Sequence, residues 1–202
     1  MNFVVLSSSR GTTFQAVLDA MKNDALTAKC LGLVADKEDR GCVEKAKAAG
    51  LPVVIVQKQQ SEDREAYDKR VHSAIEGLGG TAPNSEEVTT VIAALGWMFL
   101  LSPWFVQTWK NRILNVHPAL LPKYPGAHAI DEALAAGEIE TGMTIHLIDE
   151  GVDTGPIIEQ KMCSVLSSDT SDVLKERIQE LEKEWYPKVL QSIHKQDTTL
   201  PS

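Results

Sequence analysis

The sequence predicts an α/β protein with a doubly wound, mostly parallel sheet, an antiparallel C-terminal strand addition and helices on both faces. Short β-branched runs alternate with amphipathic helical segments over the first two-thirds of the chain. Two strand-like runs then follow one another, joined by a segment rich in turn residues. This change indicates a sheet that is parallel where helices intervene and antiparallel where two strands are consecutive.

Strands and helices alternate regularly in the first half of the chain. Apolar runs predict strands over 3–7, 30–34, 52–56 and 88–95, and apolar residues at helical spacing predict helices over 12–22, 42–49 and 61–78. Gly50 is the expected C-cap of the second helix. The stretch Gly77–Glu87 contains paired glycines, a proline and an asparagine, which predicts a surface insertion.

The second half begins with a short helix and a fifth strand. Ser102 and Pro103 open a helix over 102–110, and the strand covers 113–116. Strands over 141–148 and 157–165 flank the turn-rich segment 149–156. A helix over 169–193 closes the fold, and Pro187 is a position at which it is expected to kink or divide.

Composition restricts the function classes. A chain of 202 residues, 43% hydrophobic and 24% charged, fits one globular domain. No apolar run approaches the roughly 20 residues that cross a bilayer, and the N-terminus has no signal-peptide pattern, so we expect a cytoplasmic protein. The net charge of −8 argues against nucleic acid as a partner. Cys30, Cys42 and Cys163 are too far apart to indicate a disulfide framework or a metal site.

The strongest candidate site lies at the end of the fifth strand. Asn115 and His117 are two residues apart, so both side chains lie on one face of the strand, near the edge where doubly wound sheets bind ligands. Three prolines and Gly126 stiffen the loop that follows. A polar pair is unfavourable in a buried strand unless it has partners, which favours a functional site over simple capping.

Two further segments are weaker candidates. Asp153 lies in the turn-rich segment, where an aspartate is most often a turn residue. The loop 7–13, Ser-Ser-Ser-Arg-Gly-Thr-Thr, precedes the first helix, and it is either an N-cap with a turn or a phosphate cradle built on the helix N-terminus. It lacks the glycine fingerprint that a nicotinamide-dependent oxidoreductase requires.

Together these segments resemble the phosphoribosylglycinamide formyltransferases of the folate-dependent formyltransferase superfamily. The motifs are Asn-Val-His-Pro-Ala-Leu-Leu-Pro at 115–122, Asp-Glu-Gly-Val-Asp-Thr-Gly-Pro-Ile-Ile at 149–158, and the loop 7–13. The resemblance implies transfer of a formyl group from 10-formyltetrahydrofolate to the amine of glycinamide ribonucleotide in de novo purine biosynthesis. The length of the chain separates it from methionyl-tRNA formyltransferases and formyltetrahydrofolate hydrolases, which carry additional domains.

The resemblance also implies roles for individual residues. The implied catalytic residues are Asn115, His117 and Asp153. The implied substrate-binding residues are Gly11, Thr12, Thr13 and Glu182. The implied folate-binding residues are Arg64, Met98, Phe99, Leu100, Leu101, Asp149, Glu150, Gly151 and Val152. No metal is implied. Residues 1–202 form one domain in this interpretation, with a half that binds the substrate phosphate, 1–100, and a catalytic and folate-binding half, 101–202.

The implied catalytic residues suit the chemistry of formyl transfer. Attack of a neutral amine on a formyl group leaves negative charge on an oxygen, which the Asn115 amide and a protonated His117 can stabilise. Asp153 can orient the imidazolium and help to move a proton from the attacking amine to the leaving nitrogen. His146, on a neighbouring strand, is expected to make a structural hydrogen bond.

Three residues depart from the pattern of the family. Ser9 stands where the family usually has glycine, Thr13 where it usually has asparagine, and Phe99 where a basic residue is frequent. The alternatives are therefore formyl transfer to another amine, such as an amino sugar nucleotide, or a non-catalytic folate- or nucleotide-binding module. The expected partners are small-molecule substrates, with no nucleic acid and no membrane, for a monomer or homodimer. The conformation of the Leu121–Pro122 bond stays open.

Overall fold

The fold was obtained as a computed structural model, which describes residues 1–83 and 90–196. The strands are β1 (Asn2–Ser7), β2 (Lys29–Ala35), β3 (Val53–Ile55), β4 (Thr90–Ala94), β5 (Ile113–His117), β6 (Glu140–Leu147) and β7 (Ile157–Ser164). The helices are α1 (Thr12–Lys22), α2 (Gly41–Ala48), α3 (Arg64–Gly77), α4 (Pro103–Thr108), α5 (Ala129–Ala135) and α6 (Ser171–Gln196).

All of these strands join one sheet in the order β3-β2-β1-β4-β5-β6-β7. The neighbours from β3 to β5 are parallel, β6 is antiparallel to β5, and β7 is antiparallel to β6. The predicted mostly parallel sheet with an antiparallel C-terminal addition is confirmed. Because β1 lies between β2 and β4, the strand order reverses there, and the carboxyl ends of β1 and β4 border the crevice where such sheets bind ligands.

Helices cover both faces of the sheet, as predicted. On one face a buried cluster combines α1, α2 and α6, with Phe14, Val43 and Ile178 among its members. On the other face α3 and α4 contribute Tyr67 and Phe105 to a second cluster. The central parallel strands β1, β2 and β4 are therefore buried on both sides, which explains why they read as continuous apolar runs, whereas the edge strand β3 is partly exposed.

Side-chain caps explain where two helices begin. The prediction that the third helix starts at 61 is wrong, because the Asp63 side chain accepts the N–H of Ala66 at 2.7 Å and α3 therefore begins at Arg64. Ser102 accepts the N–H of Phe105 at 3.2 Å and caps α4 in the same way. At the other end of the chain, α6 continues past Pro187 without interruption, so the helix is not divided there.

Other parts of the structure can also be compared with what the sequence predicts. The short helix α5 has no counterpart among the predicted elements. Residues 78–83 of the expected insertion follow α3, and its remaining residues, 84–87, lie outside the described ranges. The Leu121–Pro122 bond is cis. Among the helices α1 to α6, as far as they are described, none is long and apolar enough to cross a membrane.

Candidate active site

The pairing of β5 with β6 determines what surrounds the two polar residues of β5. Asn115 lies opposite His146, and His117 lies opposite Thr144. The Asn115 amide Nδ2 is 3.1 Å from His146 Nε2, and His146 Nδ1 is 2.9 Å from the Leu147 carbonyl oxygen. The Asn115 amide donates to Nε2 when this nitrogen carries no hydrogen, whereas a hydrogen on Nε2 is directed at Asp153 Oδ1, 3.5 Å away.

Both ring nitrogens of His117 face oxygen acceptors. Its Nε2 is 2.7 Å from the carbonyl oxygen of Tyr124, and its Nδ1 is 3.3 Å from Asp153 Oδ2. A hydrogen on Nε2 is sufficient for the bond to the Tyr124 carbonyl, and the Nδ1–Oδ2 contact is an ion pair when the ring carries a hydrogen on each nitrogen. His117 is 4% exposed, so this side chain lies almost entirely out of solvent.

Asp153 connects the two histidines with the proline-rich loop. Its Oδ2 accepts the N–H of Gly126 at 2.8 Å, and its Oδ1 lies 3.5 Å from His146 Nε2. Burial acts to raise the pKa of Asp153, but the His146 side chain, the Gly126 N–H and the charge of His117 together lower it below its usual value. The carboxylate is therefore ionised at neutral pH.

Unusual backbone conformations bring these groups together. Tyr124 and Asp153 both have a φ of 54°, in the left-handed region that is uncommon for a residue with a bulky side chain. Thr144 holds the intervening loop, since its Oγ1 donates to the Ala119 carbonyl at 2.6 Å and accepts the Leu121 N–H at 3.0 Å. The loop after β6 passes close to its own strand, and a Cβ on Gly155 would overlap the Leu147 carbonyl oxygen.

A cavity of about 200 Å³ opens beside Asn115, His146 and Asp153. Its remaining walls are Arg64, Ala94, Trp97, Phe99, Leu100, Leu101, Ile148, Asp149, Glu150, Gly151 and Val152. Of the residues expected to bind folate, only Met98 is absent from these walls, and its side chain is 71% exposed. A larger groove of about 650 Å³ lies between α1 and α2, and it is lined by none of the expected site residues.

Aromatic rings form one wall of the cavity. The rings of Trp97 and Phe99 are 5.3 Å apart, and both contact Tyr67, at 6.2 Å and 5.2 Å. The opposite wall is the segment after β6, where Asp149 Oδ1 accepts the Gly151 N–H and the Thr154 hydroxyl. Asp149 therefore stabilises the turn itself, and the shape of this wall depends on it.

The loop 7–13 connects the carboxyl end of β1 to α1. Ser9 Oγ accepts the N–H of Gly11 at 3.1 Å and approaches the Leu95 carbonyl oxygen at 3.3 Å. Thr12 begins α1, which has no side-chain cap. Ser8 is 4% exposed, and its hydroxyl has no hydrogen-bond partner within the described part of the chain. Unpaired N–H groups at a helix start, with a buried hydroxyl beside them, are donors suited to an anion.

A hydrogen bond connects this loop to the last helix. The Thr13 hydroxyl donates to Glu182 Oε2 at 2.8 Å. Burial raises the pKa of the Glu182 carboxyl to about 7, although the Thr13 hydroxyl and the charges of Lys175 and Lys183 act to lower it. Sequence reasoning had no signal for this contact, nor for the Tyr124 carbonyl and the Gly126 N–H beside His117 and Asp153.

Comparison with known proteins identifies the family. The Formyl transferase family model matches residues 1–190. The chain belongs to the formyl transferase family. It is 35% identical over 191 residues to phosphoribosylglycinamide formyltransferase of Bacillus subtilis (strain 168), covering 95% of this chain and 93% of that one. It is also 35% identical over 190 residues to phosphoribosylglycinamide formyltransferase of Escherichia coli (strain K12), covering 94% and 85%.

Solved structures agree with this assignment. The fold superposes on the crystal structure of glycinamide ribonucleotide transformylase 1 from Symbiobacterium toebii with a TM-score of 0.91 and 29% identity, covering 100% of this chain and 91% of that one. A formyl transferase needs donors toward an oxygen that becomes negative and an acceptor for a proton. Asn115 places an amide and Asp153 a carboxylate on the wall of one cavity. Within the described residues, no group of three or more His, Cys, Asp or Glu side chains could hold a metal ion.

Proposed function

We propose that the protein transfers the formyl group of 10-formyltetrahydrofolate to the amine of glycinamide ribonucleotide, a step of de novo purine biosynthesis. The cluster of Asn115, His117 and Asp153 beside a ring-lined cavity carries the proposal. Relatives that the chain matches over 93% and 85% of their length bear the name phosphoribosylglycinamide formyltransferase, which supports this choice of reaction.

The cavity fits a flat ring system with a polar edge. Trp97 and Phe99 offer aromatic surface, and the Trp97 indole N–H is buried without a partner among the described residues, which leaves it for a polar atom of the bound ring. Arg64 is exposed at the edge of the cavity, where it suits a carboxylate of the folate tail. The donor carries its formyl group on a nitrogen atom. We propose that this formyl group lies against Asn115.

Asn115 stabilises the charge that develops on the formyl oxygen. A primary amide has two N–H groups, and one of them is already directed at His146, so the second is left for this oxygen. The hydrogen bond to His146 fixes the amide before the reaction, and a fixed donor is worth more than a mobile one. The Nε2 of His117 is hydrogen-bonded to the Tyr124 carbonyl oxygen, so we propose that His117 acts mainly through its contact with the Asp153 carboxylate.

Asp153 moves the proton. Formation of the new C–N bond releases a proton from the attacking amine, and cleavage of the old bond requires one on the leaving folate nitrogen. The Asp153 carboxylate, held ionised by a lowered pKa, accepts the first proton and delivers it to the second site. His117 and the Gly126 N–H fix the orientation of the carboxylate during this transfer.

The acceptor extends from the start of α1 to Asn115. Its phosphate binds at the turn formed by Gly11, Thr12 and Thr13, through the N–H groups of Thr12 and Thr13, since the Gly11 N–H already donates to Ser9 Oγ. The ends of β1 and β5 are two strands apart, about 10 Å, a span that a ribose and a glycyl arm bridge between a phosphate and an amine. We propose the division into halves at residue 100 only for the main binding segments of each half. Each half also contributes one residue to the other side, since Arg64 lines the donor cavity and Glu182 contacts the phosphate loop.

Partners and compartment follow from the same proposal. The substrates are small molecules, and the net charge of −8 supports the absence of a nucleic-acid partner. We propose the cytoplasm as the compartment, and a monomer or homodimer as the assembly.

An acceptor panel tests the proposed reaction. Purified protein receives 10-formyltetrahydrofolate and, in separate reactions, glycinamide ribonucleotide, glycinamide riboside without the phosphate, and an amino sugar nucleotide. We expect turnover with glycinamide ribonucleotide and a large loss without its phosphate. Preference for the amino sugar nucleotide would favour the alternative acceptor. This alternative is tested because the Gly11 N–H already donates to Ser9 and the Thr13 hydroxyl to Glu182, which leaves fewer donors for a phosphate. Binding of folate without turnover of any acceptor would favour a non-catalytic module.

A further inference from the structure

The Thr13 side chain donates its hydroxyl hydrogen to another residue of the protein. Thr13 is 8% exposed in the first turn of α1, and its only hydroxyl hydrogen is donated to Glu182 Oε2 at 2.8 Å. A phosphate presents only acceptors at its ionised oxygens, so the same hydroxyl cannot donate to the phosphate while it holds Glu182. Its backbone N–H is the group that remains for the anion.

We propose that Thr13 is a positioning residue that orients the Glu182 carboxylate toward the amine or hydroxyl donors of the acceptor substrate. With Oε2 held by Thr13, Oε1 is the oxygen left for the acceptor. This proposal rests on the proposed function, because it names how the acceptor side of the same site is arranged. Residue 13 then serves the acceptor through its backbone N–H and through Glu182 rather than through its own hydroxyl.

The contact between Thr13 and Glu182 affects the pH at which the Glu182 carboxyl ionises. A hydroxyl that donates to a carboxylate favours the ionised form, and so do Lys175 and Lys183 on the same helix, while burial opposes all three. The pKa of Glu182 is raised to about 7, so its charge changes within the working range of a cytoplasmic enzyme. Loss of the Thr13 hydroxyl removes one of the groups that hold Glu182 ionised, and the carboxyl then stays protonated to a higher pH.

Replacing the threonine by its isostere tests the proposal. In Thr13→Val we expect the KM for the acceptor to rise about tenfold, the value for one hydrogen bond to a charged group, with kcat and the KM for the donor little changed. The midpoint of the pH dependence of the acceptor KM should move to higher pH. Thr13→Ser keeps a hydroxyl and should restore both values.

A matched control separates this contact from general damage to α6. The Thr27 hydroxyl contacts Gln191 on the same helix at 3.1 Å, and Thr27 precedes the amino end of β2, at the opposite edge of the sheet. Thr27→Val therefore removes a threonine contact to α6 without approaching the acceptor. It should leave the KM for the acceptor and the pH profile unchanged.

A double-mutant cycle decides between positioning and direct contact. If Thr13 acts through Glu182, then Thr13→Val has little further effect in a Glu182→Gln background. An equal effect in both backgrounds would mean that Thr13 contacts the substrate itself, and the proposal would be wrong.

A titration without substrate distinguishes failure of this proposal from failure of the proposed function. Infrared spectroscopy of protein with isotope-labelled glutamate, with Glu182→Gln as the reference, follows the Glu182 carboxyl directly. We expect a higher titration midpoint in Thr13→Val than in the unmodified protein. An unchanged midpoint overturns the positioning proposal whatever the acceptor is, whereas absence of turnover with glycinamide ribonucleotide overturns the proposed function.

Discussion

Asp153 contacts His117 at the end of β5, with Asp153 Oδ2 at 3.3 Å from His117 Nδ1. The other ring nitrogen of His117 faces the Tyr124 carbonyl, and the same Asp153 oxygen accepts the Gly126 N–H. The pair is therefore held from both sides by the loop that follows β5. This arrangement keeps a carboxylate ionised beside the cavity, where a proton must move in formyl transfer.

Asp153→Asn should lower kcat by about 100-fold or more, because the amide cannot accept the proton that the carboxylate accepts. The KM values for both substrates should change much less. Steady-state kinetics with 10-formyltetrahydrofolate and glycinamide ribonucleotide measure both quantities. Asp172→Asn, which alters an exposed carboxylate in the first turn of α6, is the control. An equal loss of kcat in that variant would contradict a specific role of Asp153.

Asp153→Asn should also change how the free energy of unfolding depends on pH. The pKa of Asp153 is below its usual value of 3.8, so the carboxylate stabilises the fold at higher pH, and this contribution is lost as the pH falls through the folded-state pKa. Urea unfolding of the unmodified protein and of Asp153→Asn should differ most near neutral pH and converge in acid. A difference that stays constant down to pH 3 would contradict the ionised state inferred for Asp153.

Asn115→Ala should lower kcat by about 100-fold or more, because it removes the donor assigned to the formyl oxygen. Asn23→Ala is the control, since Asn23 lies at the C-terminal end of α1, away from the carboxyl ends of the strands. The control should retain full kcat. Rapid-quench measurement of the chemical step would contradict this role if Asn115→Ala formed product at an undiminished rate.

Much of the fold was predictable because its signals are local. The central strands β1, β2 and β4 are buried on both faces, and α1 repeats apolar residues at helical spacing, so short windows of sequence suffice. The start of α3 was not predictable from spacing, because it depends on one side-chain bond from Asp63. The helix α5 covers only Ala129–Ala135, and a segment that short provides too few turns for a periodic pattern.

The site was only partly predictable, for a different reason. Asn115 and His117 are neighbours on one strand, so their shared face follows from alternation. Asp153 reaches His117 only because its loop folds back over β5, and Glu182 reaches Thr13 only because α6 packs on α1. Such contacts between distant segments depend on tertiary packing, which spacing along the chain does not encode.

Glu182→Gln should stabilise the protein in alkaline solution while weakening acceptor binding. The pKa of about 7 lies above the value of 4.5 for a free glutamate, so the folded protein keeps a proton that the unfolded chain loses between these values. Stability therefore falls as the pH rises from 4.5 to 7, and the loss persists above that range. Urea unfolding should find Glu182→Gln more stable by about 3 kcal/mol at pH 8. Equal stability at pH 8 would contradict the raised pKa.

Phe99→Arg should increase the preference for folates with long polyglutamate tails over the monoglutamate, while loss of the ring weakens binding of both. Arg64 is the one cationic side chain among the described residues that line the cavity, beside Asp149, Glu150 and Asp153. A second cation there should lower the ratio of the triglutamate KM to the monoglutamate KM several-fold, more at low salt than at high salt. Phe99→Leu is the control, because it removes the ring without adding charge. Identical KM values for mono- and triglutamate donors in Phe99→Arg would contradict the location of the tail.

The most direct measurement follows the formyl group itself. Purified protein is mixed with 10-formyltetrahydrofolate labelled with ¹³C in the formyl carbon and with glycinamide ribonucleotide, and the products are identified by mass spectrometry. We expect the label on the amine nitrogen of glycinamide ribonucleotide in the unmodified protein, and far less of it with Asp153→Asn in the same time. Label that stays on the folate, or that appears only as free formate, would contradict formyl transfer to this acceptor.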